Sequence, residues 1–306
     1  MLSQNPSETD GLTPSHYKRH QSKRVMLKTR LHRVTRPIVY WALQKYGAAR
    51  YETSGEARLL PLAVRLRKKK LLRFYKNGAL DKRLTQIDSY RPIKRIYIMG
   101  CGRSGTWLLT AVMSTFKGVC VLSKEVPVDF FGRLTTTGAV LILKRNSDAY
   151  QHIEQIPRRI GITYIVRHPY DVLTSNNRMT DSLYHIKPDR WLGETTALKA
   201  LIEARRQNVK IVRYEDLVTD ACRVQAELAE VFDFEIGSHI DNLPAVFNAS
   251  AAADVAMHGL RKIDTNSIGK YKRDPRKIDY LRTIRPRLGS MLDWVGSEFS
   301  YDLSLQ

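Results

Sequence analysis

Cysteine is scarce in this 306-residue chain, with three in all. Cys101, Cys120 and Cys222 are far apart, and no two form a CxxC pair. This excludes a disulfide framework and a structural zinc site, predicts no bound metal, and fits a reducing compartment. No stretch approaches the ~18 consecutive apolar residues of a spanning helix. The first ten residues are polar rather than signal-like, so a soluble cytoplasmic protein is expected, with peripheral membrane contact left open. With 17 glycines and 12 prolines, the chain is neither collagen-like nor of low complexity. Acidic residues are also few, 30 against 51 Lys and Arg, which leaves a net charge of +21. That surplus calls for an anionic partner. The 43% hydrophobic and 9% aromatic content excludes a disordered chain and is enough for a buried core.

The charge is concentrated. Residues 1–90 hold 20 basic and 6 acidic residues, +14 of the +21. Residues 1–16 read as disordered, and two basic stretches follow, 17–35 and 58–76. In the first, Leu27, Leu31, Val34 and Ile38 recur at helical spacing. Residues 17–76 can therefore lie on an anionic membrane, at ~1 kcal/mol per basic residue near the surface. The alternative is a helical extension packed on the main domain with a solvated basic face. Specific nucleic-acid binding is not expected.

From about residue 91 short apolar strands alternate with helices. Strands are predicted at 95–99, 119–122, 139–143, 162–166 and 209–212. Helices are predicted at 106–116, from Pro169, and at 194–207, 221–232 and 278–295. The pattern predicts an α/β domain over 91–306, a parallel sheet flanked by helices and P-loop-like, preceded over 1–90 by a basic helical N-terminal extension.

The first strand runs into a Gly-rich turn and a helix start, Met99-Gly-Cys-Gly-Arg-Ser-Gly-Thr-Trp107. Such a turn aims backbone N–H groups at a phosphate. Gly100 and Gly105 have the spacing of a nucleotide-binding P-loop, but Thr106 stands where a nucleotidase needs lysine. A P-loop kinase or nucleotidase is thereby disfavoured, and a Gly-rich turn with no ligand remains the bland alternative. A second motif, Val166-Arg-His-Pro-Tyr-Asp171, puts Arg167 at a strand's carboxyl end, where open α/β sheets bind ligands. Ser175 follows eight residues later, about two turns into the predicted helix. The alternative for Arg167 is a surface ion pair with Asp171.

Together these segments resemble the sulfotransferases that use 3′-phosphoadenosine 5′-phosphosulfate (PAPS), on the side of the bacterial, carbohydrate-type branch. The resemblance covers roughly residues 93–275. It implies that Gly102, Arg103, Ser104, Gly105, Thr106 and Trp107 wrap the 5′-phosphate, with Arg103 near the transferring sulfuryl group. The family often has a hydroxyl residue where Trp107 stands. It implies that Arg167 and Ser175 hold the 3′-phosphate. Residues 267–272 (Ser-Ile-Gly-Lys-Tyr-Lys) resemble a loop that folds over the cofactor, giving Lys270 and Lys272 as phosphate-binding charges, against a merely solvated basic loop. The Tyr-Glu-Asp-Leu stretch at 214–217 resembles a structural family segment whose acids cap a helix or anchor basic groups, and Trp191 also has a family counterpart.

Sulfuryl transfer needs positioning, cationic stabilisation and a base for the attacking hydroxyl. Glu125 is the candidate base, since family members with a carbohydrate acceptor often carry Glu here and no His lies between His32 and His152. Its alternative is an ion pair with Lys124 or Arg133. Lys124 is a further candidate to assist the leaving oxygen, and His168, His185 and His258 are weaker base candidates. Cys101, inside the loop, reads as a space-filling residue. The resemblance implies a hydroxyl acceptor, a saccharide or glycolipid. Its binding is expected to draw on residues 123–136 and 176–195.

Overall fold

The computed structural model describes residues 57–59, 78–90, 92–176, 183–243, 247, 254, 257 and 263–305. The helical pattern at 27–38, nearly all of the basic 17–76 stretch, and His258 lie outside the described residues.

The elements in chain order are β1 (Ala57–Leu59), α1 (Ala79–Asp88), β2 (Lys94–Gly100), α2 (Thr106–Met113), β3 (Val119–Val126), β4 (Leu134–Thr136), β5 (Val140–Arg145), β6 (Ile160–Val166), α3 (Pro169–Leu173), α4 (Pro188–Glu203), β7 (Val209–Arg213), α5 (Tyr214–Thr219), α6 (Ala221–Phe232) and α7 (Pro275–Phe299). Five strands form one sheet in the order β3-β5-β2-β6-β7, parallel throughout. β1 and β4 make a short antiparallel pair. The α/β class with a parallel sheet between helices agrees with the sequence expectation.

β5 and β6 are buried at every position, as near-continuous apolar strands are when both faces are covered. α2 is apolar on nearly all sides and packs into the core with Ile96, Ile98, Ile142 and Ile165. It stops at Met113, short of the expected 116, because the hydroxyls of Ser114 and Thr115 bond the carbonyls of Ala111 and Val112. α6 is amphipathic and buries Val224, Leu228 and Phe232, with Asp220 capping its start. α7 runs beyond its expected ends and is interrupted at Gly289.

Three differences bear on the site. β3 continues through a register irregularity after Leu122, so Glu125 lies within the strand rather than past it. α3 ends at Leu173, where Thr174 leaves helical geometry, so Ser175 lies beyond the helix rather than two turns into it. α4 begins at Pro188 rather than 194, which brings Arg190 and Glu194 onto one helical face. The chain passes from β2 out to β3 and back through β5, then crosses to β6. The carboxyl ends of β5, β2 and β6 thus flank a topological switch point.

Candidate active site

The loop after β2 is held by its own backbone. Ser104 donates both N–H (3.1 Å) and hydroxyl (2.7 Å) to the carbonyl of Cys101. Arg103 adopts a left-handed conformation at φ 69°. Gly105 has φ 100°, and a Cβ there would lie 2.5 Å from the Tyr214 ring, so only glycine fits. No side chain caps α2, which leaves the start of the helix open to an anion. Thr106 and Trp107 are buried in its first turn. Burial drives the Cys101 thiol far above its ordinary pKa, with Glu194 adding to the rise, so it is an inert filler.

Arg167 leaves the end of β6 and reaches this loop. Its Nη1 donates to Arg103 O (3.1 Å) and its Nη2 to Ser267 O (2.5 Å), while its guanidinium stacks 4.3 Å above the Tyr214 ring. Arg103 Nε donates to Ser175 Oγ at 2.9 Å. Arg103, Arg167 and Ser175, from two motifs more than sixty residues apart, therefore meet at one place. Asp171 stands 3.9 Å from Arg167, too far for a strong pair. Its oxygens instead accept from the N–H groups of Gly269 (2.7 Å) and Tyr271 (3.3 Å). Asp171 thus anchors the 267–272 segment, and Ser267 Oγ is 2.6 Å from Tyr214 OH. Lys270 and Lys272 lie exposed on this segment, Lys272 within 3.8 Å of Asp302. Burial and then the nearby Arg167 charge lower the pKa of Arg103. Two guanidiniums this close favour an anion between them. Arg167 Nε, buried without a hydrogen-bond partner, points the same way.

Glu125 sits across β3 from Lys144 of β5, its partner in register. Lys144 Nζ donates to Glu125 Oε1 at 2.5 Å, so the ion pair is with Lys144 and not with Lys124 or Arg133. Arg133 pairs with Asp129. The Lys144 side chain is 2% exposed and its ammonium lies 4.1 Å over the Trp107 ring, whereas Glu125 is 46% exposed. Burial pushes the Glu125 carboxyl up, but Lys144, through charge and hydrogen bond, together with Arg145 and Arg190 outweighs it and leaves it below its ordinary pKa. For Lys144 burial wins, bringing the ammonium down to about 8.

Next to this pair, Arg145 (3.2 Å) and Arg190 (3.4 Å) converge on the buried Glu194, whose pKa burial raises against both. Lys144, Arg145, Arg190 and Glu194 were not among the residues singled out in the sequence. The available signal was two basic residues closing an apolar strand. Of the other base candidates, His168 faces the C-terminal residues, its Nε2 2.9 Å from Asp302 O. Glu215 accepts from His168 N–H (2.9 Å) and Tyr301 OH (2.8 Å), so it ties segments together rather than capping a helix. Burial, and then Arg190 and Arg103, lower the pKa of His185. Trp191 is buried in α4.

No family model and no curated protein sequence matches the chain. Among solved structures, it is similar to the sulfotransferase domain of the Synechococcus PCC 7002 olefin synthase at 18% identity and TM-score 0.52, over 70% of this chain and 96% of that domain. The sulfotransferase domain from the curacin biosynthetic pathway aligns at 16% identity and TM-score 0.47, over 69% of this chain and 99% of that one. A mouse sulfotransferase complexed with PAP aligns at 16% identity and TM-score 0.33, over 57% and 68%. The chain therefore has the P-loop-like α/β fold of a sulfotransferase domain.

Proposed function

We propose that this protein is a sulfotransferase that moves a sulfuryl group from PAPS to a hydroxyl acceptor. The observation that carries this is the meeting of Arg103, Arg167 and Ser175 beside a Gly-rich loop at the switch point of a parallel sheet. The donor set fits a bisphosphorylated nucleotide: two adjacent guanidiniums, a hydroxyl, an uncapped helix start, and a loop whose glycine lets it pack tightly against Tyr214.

Residues 102–107 would take the 5′-phosphate side, Arg167 and Ser175 the 3′-phosphate, and Lys270 and Lys272 would add charge from the 267–272 segment. When bound, PAPS supplies an activated sulfuryl group on a good leaving phosphate. Glu125, kept deprotonated by Lys144, takes the proton of the attacking hydroxyl, a contribution of roughly 10²–10⁴-fold. Arg103 supplies positive charge where charge develops on the transferring oxygens. The half-exposed carboxylate of Glu125 suits a polar acceptor, a saccharide or glycolipid hydroxyl. The basic extension over residues 1–90 would bring the domain, residues 91–306, to an anionic membrane surface where such an acceptor lies. Thr106, in the place of the P-loop lysine, disfavours ATP chemistry.

Calorimetry with 3′-phosphoadenosine 5′-phosphate (PAP), with ATP and adenosine 5′-phosphosulfate as competitors, tests the proposal. Binding of PAP that depends on its 3′-phosphate is expected. No binding, or equal binding of ATP, would overturn it.

A further inference from the structure

Arg190 has no place in the roles assigned so far, yet it lies against the phosphate loop. A Cβ on Gly102 would come within 3.4 Å of Arg190 Nη2 and 2.8 Å of Ile186 Cδ1, so the glycine admits the guanidinium to the loop's edge. Arg190 lies close enough to Glu125 to help lower its pKa, and to Cys101 of the loop to act on its thiol. It therefore lies near both the loop and the candidate base. Its direction is fixed from behind. Glu194, 1% exposed, holds Nη2 at 3.4 Å and is itself held by Arg145 at 3.2 Å. Arg190 Nε is buried without a hydrogen-bond partner, while the side chain as a whole keeps 27% exposure.

We infer that Arg190 is a further donor-binding residue that meets the sulfuryl oxygens of PAPS on the acceptor side of the loop. The inference rests on the sulfotransferase assignment and adds a specific role to it. A contact to sulfuryl oxygens is present with PAPS and absent with PAP. A contact to the 5′-phosphate or to the nucleoside is present with both.

The test is calorimetric affinity for PAPS and for PAP in the parent protein and in the Arg190→Gln and Arg190→Lys variants, with no acceptor added. Glu194 keeps Arg145 as a partner in both variants, so the buried carboxylate is not stranded, and thermal melting checks that the fold is intact. Arg190→Gln is expected to weaken PAPS by about tenfold or more while changing PAP by less than about twofold, the loss of one charge-assisted contact. Arg190→Lys, which keeps the charge but not the fork, is expected to fall between. Equal weakening of both nucleotides, or of neither, overturns the role of Arg190 and leaves the enzyme assignment standing. Failure of the parent to bind either nucleotide overturns the assignment, and the role of Arg190 falls with it.

Discussion

The two sides of the site are built by different means. The phosphate side is made of local sequence: a loop of six residues folded on its own carbonyls, and a strand end whose Arg167 donates to backbone oxygens. The acceptor side is made of charges that meet only after folding. Glu125 comes from β3, Lys144 and Arg145 from β5, and Arg190 and Glu194 from α4. On the first side geometry is set by φ and ψ and tolerates little beyond glycine. On the second it is set by ion pairs in which a buried charge is held by its partner, Lys144 by Glu125 and Glu194 by Arg145 and Arg190. The first side should fail by losing ligand, the second by losing stability or proton affinity.

The sharpest separation comes from Arg145→Met. Glu194 would keep one partner, Arg190, which is itself 27% exposed. A loss of about 2–3 kcal/mol in urea unfolding is expected, because the stronger of the two cations facing Glu194 is gone while Arg190 remains. A loss below about 1 kcal/mol would mean that Glu194 is buried as the neutral acid, in which case Arg145 does not hold it. Next in size is Arg167→Ala. PAP affinity should fall about 10- to 100-fold, while adenosine 5′-phosphosulfate, which lacks the 3′-phosphate, should bind parent and variant alike. Equal losses for the two nucleotides would show that Arg167 works through Arg103 O and the loop, not through the 3′-phosphate.

The same contrast explains how much was legible beforehand. The strand–loop–helix around Gly100 to Thr106 and the Arg167–Ser175 spacing are contiguous patterns, so the sequence carries them whole. β5 was visible as an apolar run, but that its last two residues, Lys144 and Arg145, turn inward depends on β3 and α4 packing beside them. Glu125 was visible as a carboxylate near a strand end. Its partner was not, because the irregularity after Leu122 sets which β5 residue it faces. Along the chain Asp171 is a neighbour for Arg167, yet in the fold it holds N–H groups about a hundred residues away. Long-range pairings of this kind leave no trace in spacing along the chain.

A smaller effect, on proton affinity, should appear in Lys144→Met. Removing the ammonium removes the main influence that lowers the Glu125 pKa and leaves burial, which raises it, opposed by the more distant Arg145 and Arg190. The carboxylate then takes up its proton at a higher pH. As pH falls, kcat/KM should therefore begin to drop earlier in the variant than in the parent. The parent should also show a step near pH 8, where Lys144 loses its proton, and the variant should lack it. Superimposable profiles would separate Glu125 from the proton transfer altogether.

Trp107 belongs to both sides, and its replacement gives the smallest and most discriminating effect. Its backbone N–H lies in the first turn of α2, on the phosphate side, and its ring lies under Lys144 Nζ, on the acceptor side. Trp107→Phe keeps the N–H and a ring but offers a weaker face and less volume. A stability loss of about 1 kcal/mol in urea unfolding is expected from the poorer cation–π contact and packing. PAP affinity should stay within about twofold of the parent, because a phosphate held by backbone N–H groups does not sense the side chain. The step near pH 8 should move, because the ring is part of what surrounds the buried ammonium. If PAP affinity instead fell tenfold while the pH profile stayed fixed, the indole itself would be the phosphate-side contact, and the division between a backbone-built half and a charge-built half would not hold at this residue.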